Sequence, residues 1–257
     1  MKLSVITINY NNKEGLQKTI DSVISQTFKD FEWIIIDGGS TDGGKELIER
    51  YSQYVSYWVS EPDKGIYDAM NKGIIQSHGE YLQFLNSGDT LTSSTILLDV
   101  FRDDYNEDIV TGNIIRNGKV DRGIGSRNIS LIDFYYGSLF HPASFIKKSL
   151  FVKYGMYDER YKVVSDWKFF LVTVILHNAT IKYINKSITV FDANGISSLD
   201  SNIIKIKQEK KAVLEECIPS RILKDYVYMS NEFKFKNHKL TRFMYSLIVK
   251  VTIFLEK

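Results

Sequence analysis

The sequence predicts an α/β fold, a mostly parallel sheet covered by helices on both faces, and three observations predict it. Residues 3–8 and 31–36 are short, β-branched, nearly continuous apolar runs that end abruptly in polar residues, the pattern of strands buried on both faces. Between and after them, Leu16, Ile20, Val23 and Ile24, then Leu47, Ile48, Tyr51 and Tyr54, recur at helical spacing. Strand and helix patterns then keep alternating as far as Thr111, which is how βαβ units are built.

The first strand leads into the helix marked by Leu16, and the second into the helix marked by Leu47. A strand at 55–59, a helix carrying Ile66, Met70 and Ile74, a strand at 81–85, a helix at 93–101 and a strand at 109–111 follow. At Asn117-Gly118 the order changes, because Asn-Gly between two short apolar segments is the commonest two-residue hairpin signal. The second half is mixed: a short strand near Phe145, a helix over about 166–177, strands over 181–184 and 188–191, and a charged helix over about 203–216. No internal repeat or low-complexity linker separates the halves, so 1–112 and 113–202 are expected to share one core, with 203–257 as a basic helical extension.

The length, 257 residues, suits one large domain or one domain with an appendage. Hydrophobic residues make up 44% and charged residues 25%, with 3 prolines and 16 glycines, which excludes a disordered, collagenous or repeat-built chain. A net charge of +2 argues against a nucleic-acid module. The charge is uneven, however: residues 203–257 carry 12 Lys/Arg against 6 Asp/Glu, whereas 1–202 carry 21 against 25. A single cysteine, Cys217, cannot form an intramolecular disulfide, and without Cys/His ligand spacing no structural zinc site is expected. A reducing, cytoplasmic setting is the expectation. The opening apolar run is too short for a signal-peptide core, and no run of about 20 apolar residues that could span a membrane as a helix occurs.

Ligands of open α/β sheets bind outside the carboxyl ends of the strands. Three such ends carry polar and acidic residues: 7–12 (Thr-Ile-Asn-Tyr-Asn-Asn), 37–42 (Asp-Gly-Gly-Ser-Thr-Asp) and 86–89 (Asn-Ser-Gly-Asp). Asp37 stands at a rigid strand end where its carboxylate can accept from a ribose hydroxyl or a base N–H, while Asp42 is as much a helix cap. Tyr10 offers a flat face to a base, although a tyrosine there can equally serve packing. Asp89 can hold a divalent cation through oxygen, or cap a helix. The chain has no glycine-rich phosphate loop followed by Lys-Ser/Thr, so a bound nucleoside diphosphate would need a metal to neutralise it. Residues 63–73 add charge at a helix start, with Lys64, Asp68, Asn71 and Lys72 broadly on one side and Ile66, Met70 and Ile74 facing the core.

Taken in order, the blocks 5–11 (Val-Ile-Thr-Ile-Asn-Tyr-Asn), 37–42, 68–73 (Asp-Ala-Met-Asn-Lys-Gly) and 79–89 resemble the family 2 glycosyltransferases, inverting enzymes that use a nucleotide-sugar donor on a GT-A fold. The resemblance covers residues 1 to about 195 and is most specific over the first 90. The stretch 61–68 and the Ser87-Gly88-Asp89 version look most like the colanic-acid, exopolysaccharide or O-antigen branches. It implies a GT-A catalytic domain over 1–202, with a nucleotide-sugar half at 1–112 and an acceptor half at 113–202. It implies a donor site drawn from Thr7, Tyr10, Asp37, Lys64, Asp68, Asn71 and Ser87, with Tyr10 beside a uracil or thymine ring and Asp37 on the nucleoside. It also implies that Asp89, the last acid of the family's Asp-x-Asp motif, holds Mn²⁺ or Mg²⁺. Two positions depart from the pattern: the common Asp-Asp-Gly-Ser is here Asp37-Gly38-Gly39-Ser40, and the first acid of Asp-x-Asp is Ser87.

Inverting transfer needs a base that removes the acceptor hydroxyl's proton. The family's acidic pair before a helix corresponds here to Ser165-Asp166, which makes Asp166 the expected base; a first-turn acid of that helix is the plainer role and does not exclude catalysis. Trp167 is a sugar-ring wall or a core residue, His141 a site residue or a loop hydrogen-bonder, and 194–197 a lid over the donor phosphates.

From residue 234 onward, Lys234, Lys236, Lys239, Arg242 and Lys250 are interleaved with Phe, Leu, Ile and Val. Such a segment can lie in a membrane interface with its lysines at anionic headgroups, or pack on the domain as a C-terminal helix. The expected partners are therefore a nucleotide-sugar donor, UDP-linked by the resemblance, a glycan acceptor carried on a polyprenyl diphosphate, and, through 234–257, the inner face of the plasma membrane. The thinned positions Ser87 and Ser165 leave a second reading, a catalytically silent nucleotide-sugar-binding scaffold. A nucleotidyltransferase is disfavoured, because residues 7–14 contain no glycine for a triphosphate loop.

Overall fold

The computed structural model describes residues 1–126, 128–193, 195 and 202–237, with 229–237 described by backbone alone. Its first half turns the apolar runs into β1 (Leu3–Asn9), α1 (Lys13–Ile24), β2 (Phe31–Asp37), α2 (Gly44–Tyr51), β3 (Tyr57–Ser60), α3 (Ile66–Gln76) and β4 (Tyr81–Phe84). All of β1 and all of β2 after Phe31 are buried. β1 pairs in parallel with β2 on one side and β4 on the other, and β3 extends the sheet beyond β2. The order β3-β2-β1-β4 puts a topological switch at β1, where loops leave in opposite directions and open a crevice.

The chain continues through β5 (Thr90–Leu91), α4 (Ile96–Val100), β6 (Ile109–Arg116), β7 (Lys119–Asp121), α5 (Leu131–Tyr136), β8 (Ser144–Lys147), α6 (Lys148–Tyr154), α7 (Ser165–Phe170) and β9 (Ile181–Val190). β8 is antiparallel to both β4 and β6, and β9 runs parallel to β6. Among the described residues one sheet, β3-β2-β1-β4-β8-β6-β9-β5 with β7 on β6, carries both halves. The predicted hairpin is present: Asn117 (φ 50°) and Gly118 (φ 72°) take the left-handed conformations of a type I′ turn between β6 and β7.

Side chains alternate across a strand, and the two faces of the sheet are covered differently. On one, Leu3, Val5, Trp33 and Ile35 pack with Leu16, Ile20 and Val23 of α1 and Leu47 and Ile48 of α2. On the other, α3 lies so close to β1 that a Cβ on Gly73 would collide with the Ile6 side chain. Each buried Leu or Ile contributes about 2 kcal/mol, so burial on both faces sets the register and a one-residue slip would misplace every one of them.

Several elements differ from the sequence reading. Residues 181–190 form one strand, whose middle passes a register irregularity opposite β6 and so looked like a break. The helix over 166–177 is α-helical only to Phe170 and π-helical over Leu171–Leu176. α5 and α6, of 6 and 7 residues, are too short to display a helical period and were not anticipated.

Two compact units are distinguished, Met1–Glu209 and Lys210–Lys257. α8 (Ile203–Cys217) spans the division. Within the first unit, the Glu209 carboxylate accepts from the Lys162 and Val163 backbone amides and ties the start of α8 to that loop. In the second unit α9 (Ser220–Asn237) begins after Pro219, whose carbonyl accepts from Leu223 N at 2.9 Å. The expected lid at 194–197, apart from Gly195, and the basic tail from 238 onward lie outside the described residues. Among the described residues no helix is long and apolar enough to cross a membrane.

Candidate active site

β1 to β4 are parallel, so their carboxyl ends share one edge, and β9 ends at that edge as well. There the register sets Asn9 beside Asp37 and Asp37 beside Ser60. Asp37 is fully buried and its carboxylate accepts from Asn9 Nδ2 at 2.7 Å, Ser40 N at 2.9 Å, Ser40 Oγ at 2.6 Å and Ser60 Oγ at 2.6 Å. Burial alone would raise its pKa; the Ser40, Ser60 and Asn9 donors overcome that and hold it below the usual carboxylate value. A carboxylate offers about four lone-pair positions, and in this conformation those of Asp37 shape loop 37–42. Thr7 is fully buried and accepts from Trp33 Nε1 at 3.0 Å inside the sheet. Asp42 is a cap, accepting from Gly44 N at the start of α2 and from Lys13 N at the start of α1.

Tyr10 is 68% exposed beside Gly38, ready to receive a planar group. A Cβ on Gly38 would stand 2.9 Å from Asp63 Oδ2 and 3.1 Å from Tyr10 Cδ2. Asp63 thus fills, from another loop, the space that a side chain at position 38 would take. The sequence reading noted Asp63 only as charge at a helix start, because nothing in its spacing shows which strand end it reaches. Its Oδ1 lies 2.6 Å from Lys72 Nζ, which also meets Glu61 at 2.8 Å and Asp68 at 3.7 Å. Burial opposes the Lys72 charge, and the three carboxylates more than offset it. Burial raises the Asp63 carboxyl, and Asp68 and Glu61 add to the effect while Lys72 opposes it. Asp68 accepts from Lys64 N at 2.9 Å and so also organises the start of α3, with the Lys64 side chain exposed beside it. Asn71 is buried, and its amide exchanges bonds with Tyr157 N and O, clipping loop 155–164 to α3.

Beyond β4, Asn12 Nδ2 donates to the Ser87 carbonyl at 3.0 Å, joining the first and fourth strand-end loops. Asp89 is buried and accepts from Asp192 N at 2.8 Å, while the Asp192 carboxylate lies against Gly88. Burial is the main reason the Asp89 carboxyl is pushed up to about 7; the Asp192 charge adds to it, and Asp192 N and Arg116 oppose it. Asp192 follows β9 and is separated from Asp89 by 103 residues, so sequence spacing could not pair them. Asp89 and Asp192 offer carboxylate oxygens, and in the same strand-end loop as Asp89 lie the Ser87 hydroxyl and the buried, unpartnered Asn86 Oδ1, so the donors there are all oxygen. Such a set fits a hard divalent cation that draws its remaining ligands from phosphate oxygens. Among the described residues no third acidic or imidazole group joins them.

Asp166 opens α7, half-buried, and its Oδ1 accepts from Tyr67 Oη at 2.7 Å. Tyr67 sits in the first turn of α3, which follows β3 and starts at the same sheet edge. Among the described residues the other oxygen, Oδ2, has no hydrogen-bond partner. Nearby, His141 Nε2 and Tyr157 Oη lie 2.7 Å apart, and the imidazole stacks on Phe84 at 4.6 Å. Burial lowers the His141 pKa, against a small opposing pull from Asp166, so the ring is neutral and structural. Trp167 is buried and donates to the Phe134 and Gly137 carbonyls, which makes it a core residue.

Comparison with known proteins agrees with this geometry. A family model described as glycosyl transferase family 2 matches residues 4–158. An uncharacterised glycosyltransferase of Mycobacterium tuberculosis is 34% identical over 204 residues, 76% of this chain and 77% of the relative. The poly(ribitol-phosphate) β-N-acetylglucosaminyltransferase TarP of Staphylococcus aureus is 29% identical over 220 residues, 72% of this chain and 67% of the relative. Among solved structures, S. aureus TarS 1–349 in complex with UDP-GlcNAc superposes with a TM-score of 0.62 at 22% identity. That match covers 74% of this chain but only 58% of TarS 1–349, less than two thirds of its length, and it shows the fold, a GT-A-type sheet flanked by helices.

Proposed function

The chain belongs to glycosyl transferase family 2, and from that premise we propose that it is an inverting transferase moving a hexose or N-acetylhexosamine from a UDP-sugar to a hydroxyl of a glycan. The observation that carries the reading is the gathering at one sheet edge of an exposed aromatic face, Tyr10, a buried acid, Asp89, bonded to the backbone of a half-buried one, Asp192, and a half-buried carboxylate, Asp166. Tyr10 stacks on the base, with Asp63 beside it. Asp89 and Asp192 would hold Mn²⁺ or Mg²⁺, which when bound would supply charge neutralisation to the nucleoside diphosphate. Asp166 Oδ2 takes the proton of the acceptor hydroxyl as that oxygen attacks the anomeric carbon from the side opposite the diphosphate. The acceptor fits a polyprenyl-diphosphate-linked glycan at the cytoplasmic membrane face, a reading supported by the resemblance to surface-polysaccharide branches.

The test is titration of UDP into the protein with Mn²⁺ and again with EDTA, followed by turnover of UDP-sugars, UDP-GlcNAc first. Metal-dependent UDP binding, with turnover that Asp166→Asn reduces about a thousandfold, is the expected result. Metal-independent binding would remove the role of Asp89 and Asp192, and binding without turnover of any UDP-sugar would favour a scaffold.

A further inference from the structure

Two features of Asp166 are unequal: Oδ1 is engaged by Tyr67 Oη at 2.7 Å, and Oδ2 is unengaged among the described residues. The bond joins residues 99 positions apart, linking the helix that begins at the donor edge to the helix that carries the candidate base. Resting on the reading of Asp166 as that base, we infer that Tyr67 is its positioning residue: the phenol holds Oδ1 so that Oδ2 faces the acceptor hydroxyl.

Three things support a positioning role over simple packing. Tyr67 is 5% exposed, so its hydroxyl has no ready water to replace the carboxylate and would be left unsatisfied without it. Its ring packs at 5.6 Å from that of Tyr157, which holds the ring and hence the position of Oη. Burial first, and then the Asp166 charge, push the Tyr67 pKa well above the usual phenol value, so the group stays a donor throughout the working range. The other groups that feel the Asp166 charge are Tyr157, raised chiefly by burial, and His141, lowered by it; both are neutral. On α7 itself Lys168 is paired with Asp158 at 2.7 Å. Among the described residues Tyr67 is therefore the group that holds the Asp166 carboxylate by a direct hydrogen bond.

Without the phenol, Oδ1 loses its donor and the carboxylate is free to rotate away from the acceptor side. The full chain labelled with [¹³Cγ]Asp, with the Asp166 signal assigned by its loss in Asp166→Asn, reads the bond without any substrate: at fixed pH, Tyr67→Phe is expected to shift that signal, and 3-fluorotyrosine at position 67, which keeps the ring and the hydroxyl, to leave it close to wild type. In the release of UDP from UDP-GlcNAc, Tyr67→Phe is expected to lower kcat about tenfold with the donor KM unchanged, and to cause no further loss in an Asp166→Asn background. An unshifted Asp166 signal in Tyr67→Phe, or a raised donor KM with unchanged kcat, would overturn the inference. Full turnover by Asp166→Asn would instead overturn the base assignment, leaving the signal to report on the Tyr67 bond.

Discussion

At the scale of single residues, the two strand-end carboxylates Asp37 and Asp89 show how environment decides the role of a side chain. Both are buried, yet Asp37 is surrounded by donors and held low, whereas Asp89 has one backbone donor and an acidic neighbour and is pushed up to about 7. The folded chain therefore keeps a proton on Asp89 that the unfolded chain releases near pH 4. Between about pH 4 and pH 7 the folded state binds more protons than the unfolded state, and stability attributable to Asp89 falls as pH rises through that window. Asp89→Asn should remove this loss. Without divalent cation the variant is expected to melt roughly 5 °C above wild type at pH 7.5, with the gap narrowing toward pH 5; Mn²⁺ should raise the wild-type Tm and leave the variant unmoved. Thermal scans at the two pH values check it, and equal melting at pH 7.5 would show that the carboxylate is not strained there.

At the scale of elements, α3 is the part on which the site depends most. Its first turn supplies Tyr67 and Asp68, its middle supplies Asn71 and Lys72, and Gly73 lets the whole helix lie against Ile6 of β1. Alanine is ordinarily the better helix former by about 1 kcal/mol, but here its methyl meets Ile6. Gly73→Ala is therefore expected to destabilise the fold by about 1–3 kcal/mol and to weaken UDP binding as α3 shifts. Urea denaturation measures the first effect and titration the second; a variant as stable as wild type would mean that α3 and β1 adjust without cost. The short helices α5 and α6 and the π-helical run after α7 teach the complementary lesson, since six or seven residues carry too little periodicity for burial patterns to reveal them.

At the scale of the molecule, residues remote in the chain hold in place the loop that leads to Asp166. Glu209, read in the sequence as part of a separate basic extension, accepts from Lys162 N and Val163 N just before Asp166, and Asn71 clips Tyr157 in the same loop. Glu209→Ala is expected to cost about 1–2 kcal/mol and to open 158–164 to protease, with kcat falling while UDP affinity is kept. Unchanged proteolysis and kcat would detach α8 from the site. The sequence by itself determined the parallel β-α opening, the Asn117-Gly118 hairpin, the family, and the strand ends at which Tyr10, Asp37 and Asp89 stand. Those features follow from local periodicity, turn chemistry and short motifs, which neighbouring residues write together. Only the tertiary structure decided that Thr7 and Asn71 are spent on packing, that Asp63 occupies the space beside Gly38, that Asp192 meets Asp89, and that Tyr67 holds Asp166. Each of these is a contact across tens of residues, made by strands and helices brought together to bury both faces of the sheet, and no spacing along the chain encodes where such side chains meet.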